Sequence, residues 1–204
     1  MSVLPLLAVL LGLGSAASGM AAVPAPTSPW TVGSDPSEAT MRKIRWAIAS
    51  NDNGDLPFVV VDKRAARVFV LDRHGLVLGA APALLGLAKG DVSPPGIGDR
   101  PLSAIGPADR ITPAGRFVAG LGPDLGAKDV LWVDYAAAIS LHRVVTSNPR
   151  EHRLERLATA SILDNRISYG CINVPAKFFD DVVRPAFLAR GGVVYILPEL
   201  AAED

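Results

Sequence analysis

The only cysteine of the 204-residue chain, Cys171, stands in the stretch RISYGCINVP, residues 166–175. Ser168 lies three residues before it, Gly170 directly before it and Asn173 two after it. The thiolate is the attacking form, so a catalytic cysteine needs a neighbour that lowers its pKa or takes its proton. The chain has three histidines that could act in this way, His74, His142 and His152. Gly170 lets another chain or a substrate come close, and backbone N–H groups around Gly170 and Cys171 suit an oxyanion. A helix-like segment starts near Pro175, which brings some positive dipole toward the thiol. This is the equipment of acyl transfer through a thioester. The competing reading is a small buried hydrophobe after a turn, because free cysteine is among the most buried residue types.

Other chemistries lack their residues. The histidines are not arranged as H-E-x-x-H, and one cysteine cannot build a thiolate zinc site, so no metal is expected. There is no Gly-rich phosphate loop after a strand and no G-x-S-x-G elbow, and no organic cofactor is expected. Lys+Arg and Asp+Glu number 20 each, a neutral balance that argues against a nucleic-acid partner. Half of the residues are hydrophobic and a fifth are charged, which is a globular composition.

The elements that must position Cys171 are mostly strands. FVVVD (58–62), RVFVLD (67–72) and LVLGA (76–80) read as a meander of short β-branched runs, with His74 in a turn. TPAGRFVAG (112–120) is a turn into a strand, and VLWVDY (130–135), AAAISLH (136–142) and VVYIL (193–197) read as further strands. Trp132 and Tyr135 then face opposite sides, one to the core and one to the rim. Residues 89–110 are rich in Gly and Pro and form a long loop, the kind that serves as a lid or binding edge. Residues 34–50 form a helix capped by Ser34 or Asp35, with Met41, Ile44, Ala47 and Ile48 on one face. A second, amphipathic helix spans 175–192 and is bent or broken at Pro185. EHRLERLATA (151–160) reads as a short polar helix.

The first residues carry an apolar run from Val3 to Leu13, then small residues, then Pro24 and Pro26. Residues 1–21 therefore read as a secretory signal, with Gly19-Met20-Ala21 or Ala17 at the cleavage site. The run is too short for a permanent span, so no stable membrane helix is expected after cleavage. The expected organisation is a signal (1–21), a linker and short helix (22–56), a catalytic domain (57–198) and a tail (199–204), in the periplasm or cell envelope. Oligomeric state is not written in the sequence.

SYGCIN (168–173) resembles the active-site motif of the L,D-transpeptidase catalytic domain, the YkuD-like family, which reads Ser/Thr-His-Gly-Cys, an apolar residue, then Asn or Arg. TPAGRF (112–117) is similar to that family's Thr-Pro-x-Gly-x-Phe/Tyr turn, and residues 58–75 are similar to its opening hairpin. The three motifs stand in the family's order and span about Pro57 to Leu197. The resemblance implies a mainly β fold with one or two helices, a sandwich-like β-barrel. It implies a cysteine transferase acting on peptidoglycan stem peptides, releasing D-Ala and forming a cross-link. Water as acceptor (an L,D-carboxypeptidase) and a wall-peptide-binding domain of little activity are the rival readings. Ser168, Tyr169, Gly170 and Asn173 become the motif and oxyanion loop. Tyr169 departs from the family's His, and a phenol does not serve as a base near neutral pH.

The resemblance also implies an upstream histidine at the end of a strand, oriented by the carbonyl of a small residue after it; Arg143 and Arg153 stand there in this chain. Fifteen residues separate His152 from Ser168, which fits the family spacing; twenty-five separate His142 from it. His142 closes the strand-like AAAISLH, where Ala138, Ser140 and His142 share a face by period two, whereas His152 lies in a polar stretch. A strand end holds a base more rigidly, which selects His142. Residues 148–165 then become an insertion covering the site. Arg166 is a candidate for holding a substrate carboxylate, with an ordinary ion pair as its alternative.

Overall fold

The computed structural model describes residues 35–124, 126 and 128–199. The signal and most of the linker, and the tail beyond Glu199, lie outside the described residues. Among the described residues, no helix is long and apolar enough to cross a membrane.

Among the described residues ten strands carry the fold: β1 (Phe58–Asp62), β2 (Arg67–Leu71), β3 (Val77–Pro82), β4 (Leu85–Gly86), β5 (Gly115–Pro123), β6 (Asp129–Asp134), β7 (Ile139–Arg143), β8 (Arg166–Ser168), β9 (Ile172–Val174) and β10 (Gly192–Ile196). Eight form one sheet in the order β3-β2-β1-β10-β5-β6-β7-β9, and β4 pairs with β8. Leu84 exchanges both backbone hydrogen bonds with Asn173 of β9, and the Ala83 N–H donates to Ala66 O beside β2. The chain leaving β3 thus bridges to the opposite edge, and the sheet is a nearly closed, barrel-like layer. The expectation of a mainly β, barrel-like fold holds.

Period two explains both cores. Val59 and Val61 of β1 point into the barrel with Val68, Val70, Leu131, Leu141, Ile172 and Val194. Phe58 and Val60 point outward, with Phe69, Leu71, Val193 and Tyr195. That outer face is covered by helix α1 (Glu38–Ala49) through Ile44 and Ala47, so every residue of β1 is buried. The cap of α1 is Ser37, not Ser34 or Asp35: its Oγ accepts from the Thr40 N–H at 3.1 Å. Ser37 Oγ also donates to buried Asp62, which fixes the helix to the end of β1. Ile48, placed on the inner face by periodicity, is exposed.

The segment 176–187 runs through α3 (Ala176–Phe178), a π-helical turn (Phe179–Val183) and α4 (Arg184–Phe187). Pro185 does not break it. Proline lacks an N–H and its ring crowds the carbonyl four residues back, and the wider π turn immediately before it accommodates both. Phe178, Phe179, Val183 and Phe187 enter the barrel core from this segment.

Candidate active site

Cys171 occupies the short turn between β8 and β9, and two neighbours force its shape. Gly170 has φ +131°, and a Cβ there would lie 2.7 Å from both Ile111 O and Ile139 Cδ1, so the position accepts only glycine. Buried Ser168 ties the turn from within: its Oγ donates to Cys171 O at 2.6 Å and accepts from the Gly170 N–H at 3.0 Å. Asn173 Nδ2 donates to the same carbonyl at 3.3 Å, while its Oδ1 accepts from Arg153 at 2.9 Å.

A residue without an expected role completes the clamp. Thr112, fully buried, donates to Gly170 O at 2.7 Å and accepts from the Gly86 N–H at 2.8 Å. Its own carbonyl accepts from the buried Lys63 ammonium at 2.9 Å. The Thr-Pro-x-Gly stretch was legible as a motif; that its hydroxyl reaches a carbonyl 58 residues on was not.

His142 stands on β7, paired in parallel with Asn173 of β9. That pairing sets its ring beside the thiol, where each group shifts the ionisation of the other. Its Nδ1 lies 2.7 Å from Arg143 O. A carbonyl only accepts, so Nδ1 carries the proton and Nε2 is left as the basic nitrogen. The orienting carbonyl belongs to an arginine rather than a small residue, and a backbone oxygen serves equally well from either. Ser140 Oγ lies 3.7 Å from Cys171 Sγ, and Ala138 O lies 3.5 Å from it.

Burial pushes the Cys171 thiol up, but the bond and charge of His142, with backbone and hydroxyl bonds from Ser140, outweigh it. The thiol is held below the ordinary cysteine range. Burial pushes the His142 ring down, but the sulfur beside it and the Arg143 carbonyl outweigh burial and the opposing Arg153 charge. The ring is held above its ordinary value. Both shifts favour a thiolate–imidazolium pair.

The pair opens on a groove of about 550 Å³. Ala138, Ser140 and His142 form one wall and Tyr169 stands beside Cys171. The opposite wall comes from the long loop, as Ile97, Pro101, Leu102 and Ile105. This loop is folded into three single 3₁₀ turns, Ile97–Asp99, Leu102–Ala104 and Pro107–Asp109. An adjoining cavity of about 360 Å³ shares Asp124, Val130, His142 and Val145 with the groove and is lined further by Asp129, Arg143, Thr146 and Ser147. Arg110 stacks its guanidinium 3.9 Å from the Tyr169 ring centroid while bonding Ile105 O twice. The phenol that replaces the family's imidazole is thus held against a cation.

The rival base stands away from the thiol, and four expectations are corrected. His152 is the exposed residue between a 3₁₀ turn and α2 (Arg153–Ala158), bonded to Glu155 and not to Cys171. Residues 148–165 do not cover the site: none lines the groove, and their link to it is Arg153 behind Asn173. Arg166 does not face the groove; it pairs with Glu199 and donates to Lys63 O at 2.8 Å. The Gly170 N–H, expected at an oxyanion, is held by Ser168, whereas the Cys171 N–H has no partner among the described residues. Trp132 and Tyr135 do not face opposite ways. A register shift at Trp132/Asp134 turns the end of β6, and the rings stack at 5.0 Å.

No protein-family model matches the chain, and no match is found among curated proteins. Solved structures that it resembles are L,D-transpeptidases. The catalytic domain of the E. faecium enzyme is 16% identical, with 70% of this chain and 98% of that one covered and a TM-score of 0.37. An L,D-transpeptidase in complex with imipenem is 17% identical over 70% of this chain and 59% of that one, with a TM-score of 0.39. The L,D-transpeptidase from Mycobacterium smegmatis is 17% identical over 69% and 58%, with a TM-score of 0.40. The chain spans less than two thirds of the length of the latter two. At such identities the site's own geometry has to carry a functional reading.

Proposed function

We propose that the chain is an exported cysteine acyltransferase, an L,D-transpeptidase acting on peptidoglycan stem peptides in the periplasm or cell envelope. The observation that carries this reading is the His142–Cys171 pair, with Nδ1 anchored on a carbonyl and the sulfur open to a groove. His142 takes the thiol proton through Nε2. The thiolate attacks the carbonyl between the third, L-centre residue of a stem and its terminal D-Ala. The Cys171 N–H donates to the oxyanion. The imidazolium returns its proton to the leaving D-Ala amine, and a thioester remains. An amine of a second stem then attacks the thioester, with His142 taking its proton. The adjoining cavity that shares His142 with the groove supports this reading, because it leaves room beside the base for a second substrate.

The test is a product assay with chain lacking residues 1–21 and a disaccharide-tetrapeptide, read by mass spectrometry. Dimers with D-Ala release in the parent, absent in Cys171→Ala, are the expected result. Tripeptide without dimers assigns water as the acceptor. No product in any arm overturns the enzyme reading in favour of a wall-peptide-binding domain.

A further inference from the structure

A second pocket shares no lining residue with the groove at Cys171. It encloses about 380 Å³ between the β1–β2 turn, the chain after β4, the turn before β8 and the chain after β10. Lys63, Arg64, Lys89 and Arg166 line it, against one carboxylate, Glu199.

The charges there do not cancel. Lys63, whose side chain is wholly buried, gives its three protons to Asp91 Oδ1, Gly90 O and Thr112 O. Arg166 pairs with Glu199 through Nη2, which also reaches Lys63 O. Its Nη1 is buried and has no hydrogen-bond partner, a costly state for a guanidinium donor. Arg64 and Lys89 are exposed and form no ion pair among the described residues. Two unpaired cations therefore border one cavity, with the buried Arg166 guanidinium in its wall. Beside them stand Ile162 and Leu163, which are 51% and 70% exposed.

We propose that this pocket is a binding site for a phosphate group. A tetrahedral oxyanion offers acceptor oxygens in several directions at once, which a cavity with guanidinium and ammonium donors on different walls requires. Its charge offsets the local excess that Glu199 leaves. The apolar pair at the rim suits the organic part of a phospholipid headgroup, while free phosphate offers the same acceptor oxygens without using that pair. Arg64 and Lys89 are the flexible members that close over the anion, and Arg166 is the fixed floor. The site is independent of the reaction at Cys171.

Chain lacking residues 1–21 is titrated with inorganic phosphate, against chloride at matched ionic strength, by isothermal calorimetry and thermal melting. It is also sedimented with phosphatidylglycerol/phosphatidylcholine vesicles and with phosphatidylcholine alone. The Arg64→Ala/Lys89→Ala double variant removes two exposed side chains and leaves the buried ion pairs intact. Saturable phosphate binding that weakens at least tenfold in the double variant supports the site with free phosphate as ligand. Sedimentation with the anionic vesicles only, lost in the double variant, supports it with a headgroup as ligand. Neither response, or a response equal in parent and double variant, overturns the proposal.

Discussion

At the scale of single residues, proton transfer decides the behaviour of the site. Cys171→Ala removes the nucleophile and abolishes product. His142→Ala lowers kcat/KM by about 10²–10⁴, the usual contribution of a positioned base, while His152→Ala leaves it near the parent value. The pKa shifts give a second readout. A thiol held low stays ionised as pH falls below the usual cysteine range, and the thiolate is lost only when pH drops through its lowered value. A histidine held high stays protonated as pH rises above its ordinary 6.5 and loses its proton through its raised value. Both shifts bring the two titrations together and raise the share of ion pair. Iodoacetamide labelling of Cys171 therefore has its rise on the acid side of an ordinary cysteine, and His142→Ala moves that rise to higher pH, because burial is then less opposed. Superposable profiles for the two proteins contradict the pairing. Part of this is legible in the sequence. The alternation of Ser140 and His142 on a strand places the base, because period two is a local property, whereas Ala138, expected on that strand, lies in the turn before β7 at φ +53°. The fate of Arg166 is not legible, because its partner Glu199 is 33 residues away and arrives only when the sheet closes.

At the scale of elements, the turn that carries Cys171 is held by strands other than its own. Thr112, from the chain entering β5, is the central tie. Thr112→Val strands the Gly86 N–H and the Gly170 carbonyl, for a loss of about 1–3 kcal/mol in denaturant unfolding, with slower turnover because the turn is released. Thr112→Ser keeps the hydroxyl and restores most of both. Gly170→Ala puts a Cβ against Ile111 O at a positive φ, which adds strain and overpacking of about 2–4 kcal/mol and lowers Tm. Elements are easier to read than their ends. Strand runs of Val, Ile and Phe stand out, whereas two- and three-residue strands such as β4, β8 and β9 carry too little periodicity to register. The stacking of Trp132 on Tyr135 depends on a bulge, and bulges leave no composition signal.

At the scale of the whole molecule, a buried cation joins the two halves of the barrel to the site. Lys63 reaches Asp91 and Thr112 from the end of β1, and Thr112 reaches the Cys171 turn. Lys63→Met keeps the bulk and removes the charge, leaving Asp91 without this partner. Breaking one side of such a pair costs about 3–5 kcal/mol, measured by urea unfolding, and the reactivity of Cys171 falls with it. The helix α1 is part of this whole: its Ile44 and Ala47 belong to the same apolar cluster as β1 and β10.

The order of strands has a consequence for how the chain comes into being. β10, the last of the described strands to be synthesised, lies in the middle of the sheet, between β1 and β5. Until residue 196 has emerged, those two strands have open edges and no shared partner. Such pairings are far apart along the chain and form slowly. The nascent protein is thus kept from closing early. For an exported chain, as proposed, that delay keeps it threadable through a secretion channel; for a truncated one, it leaves exposed edges that invite aggregation.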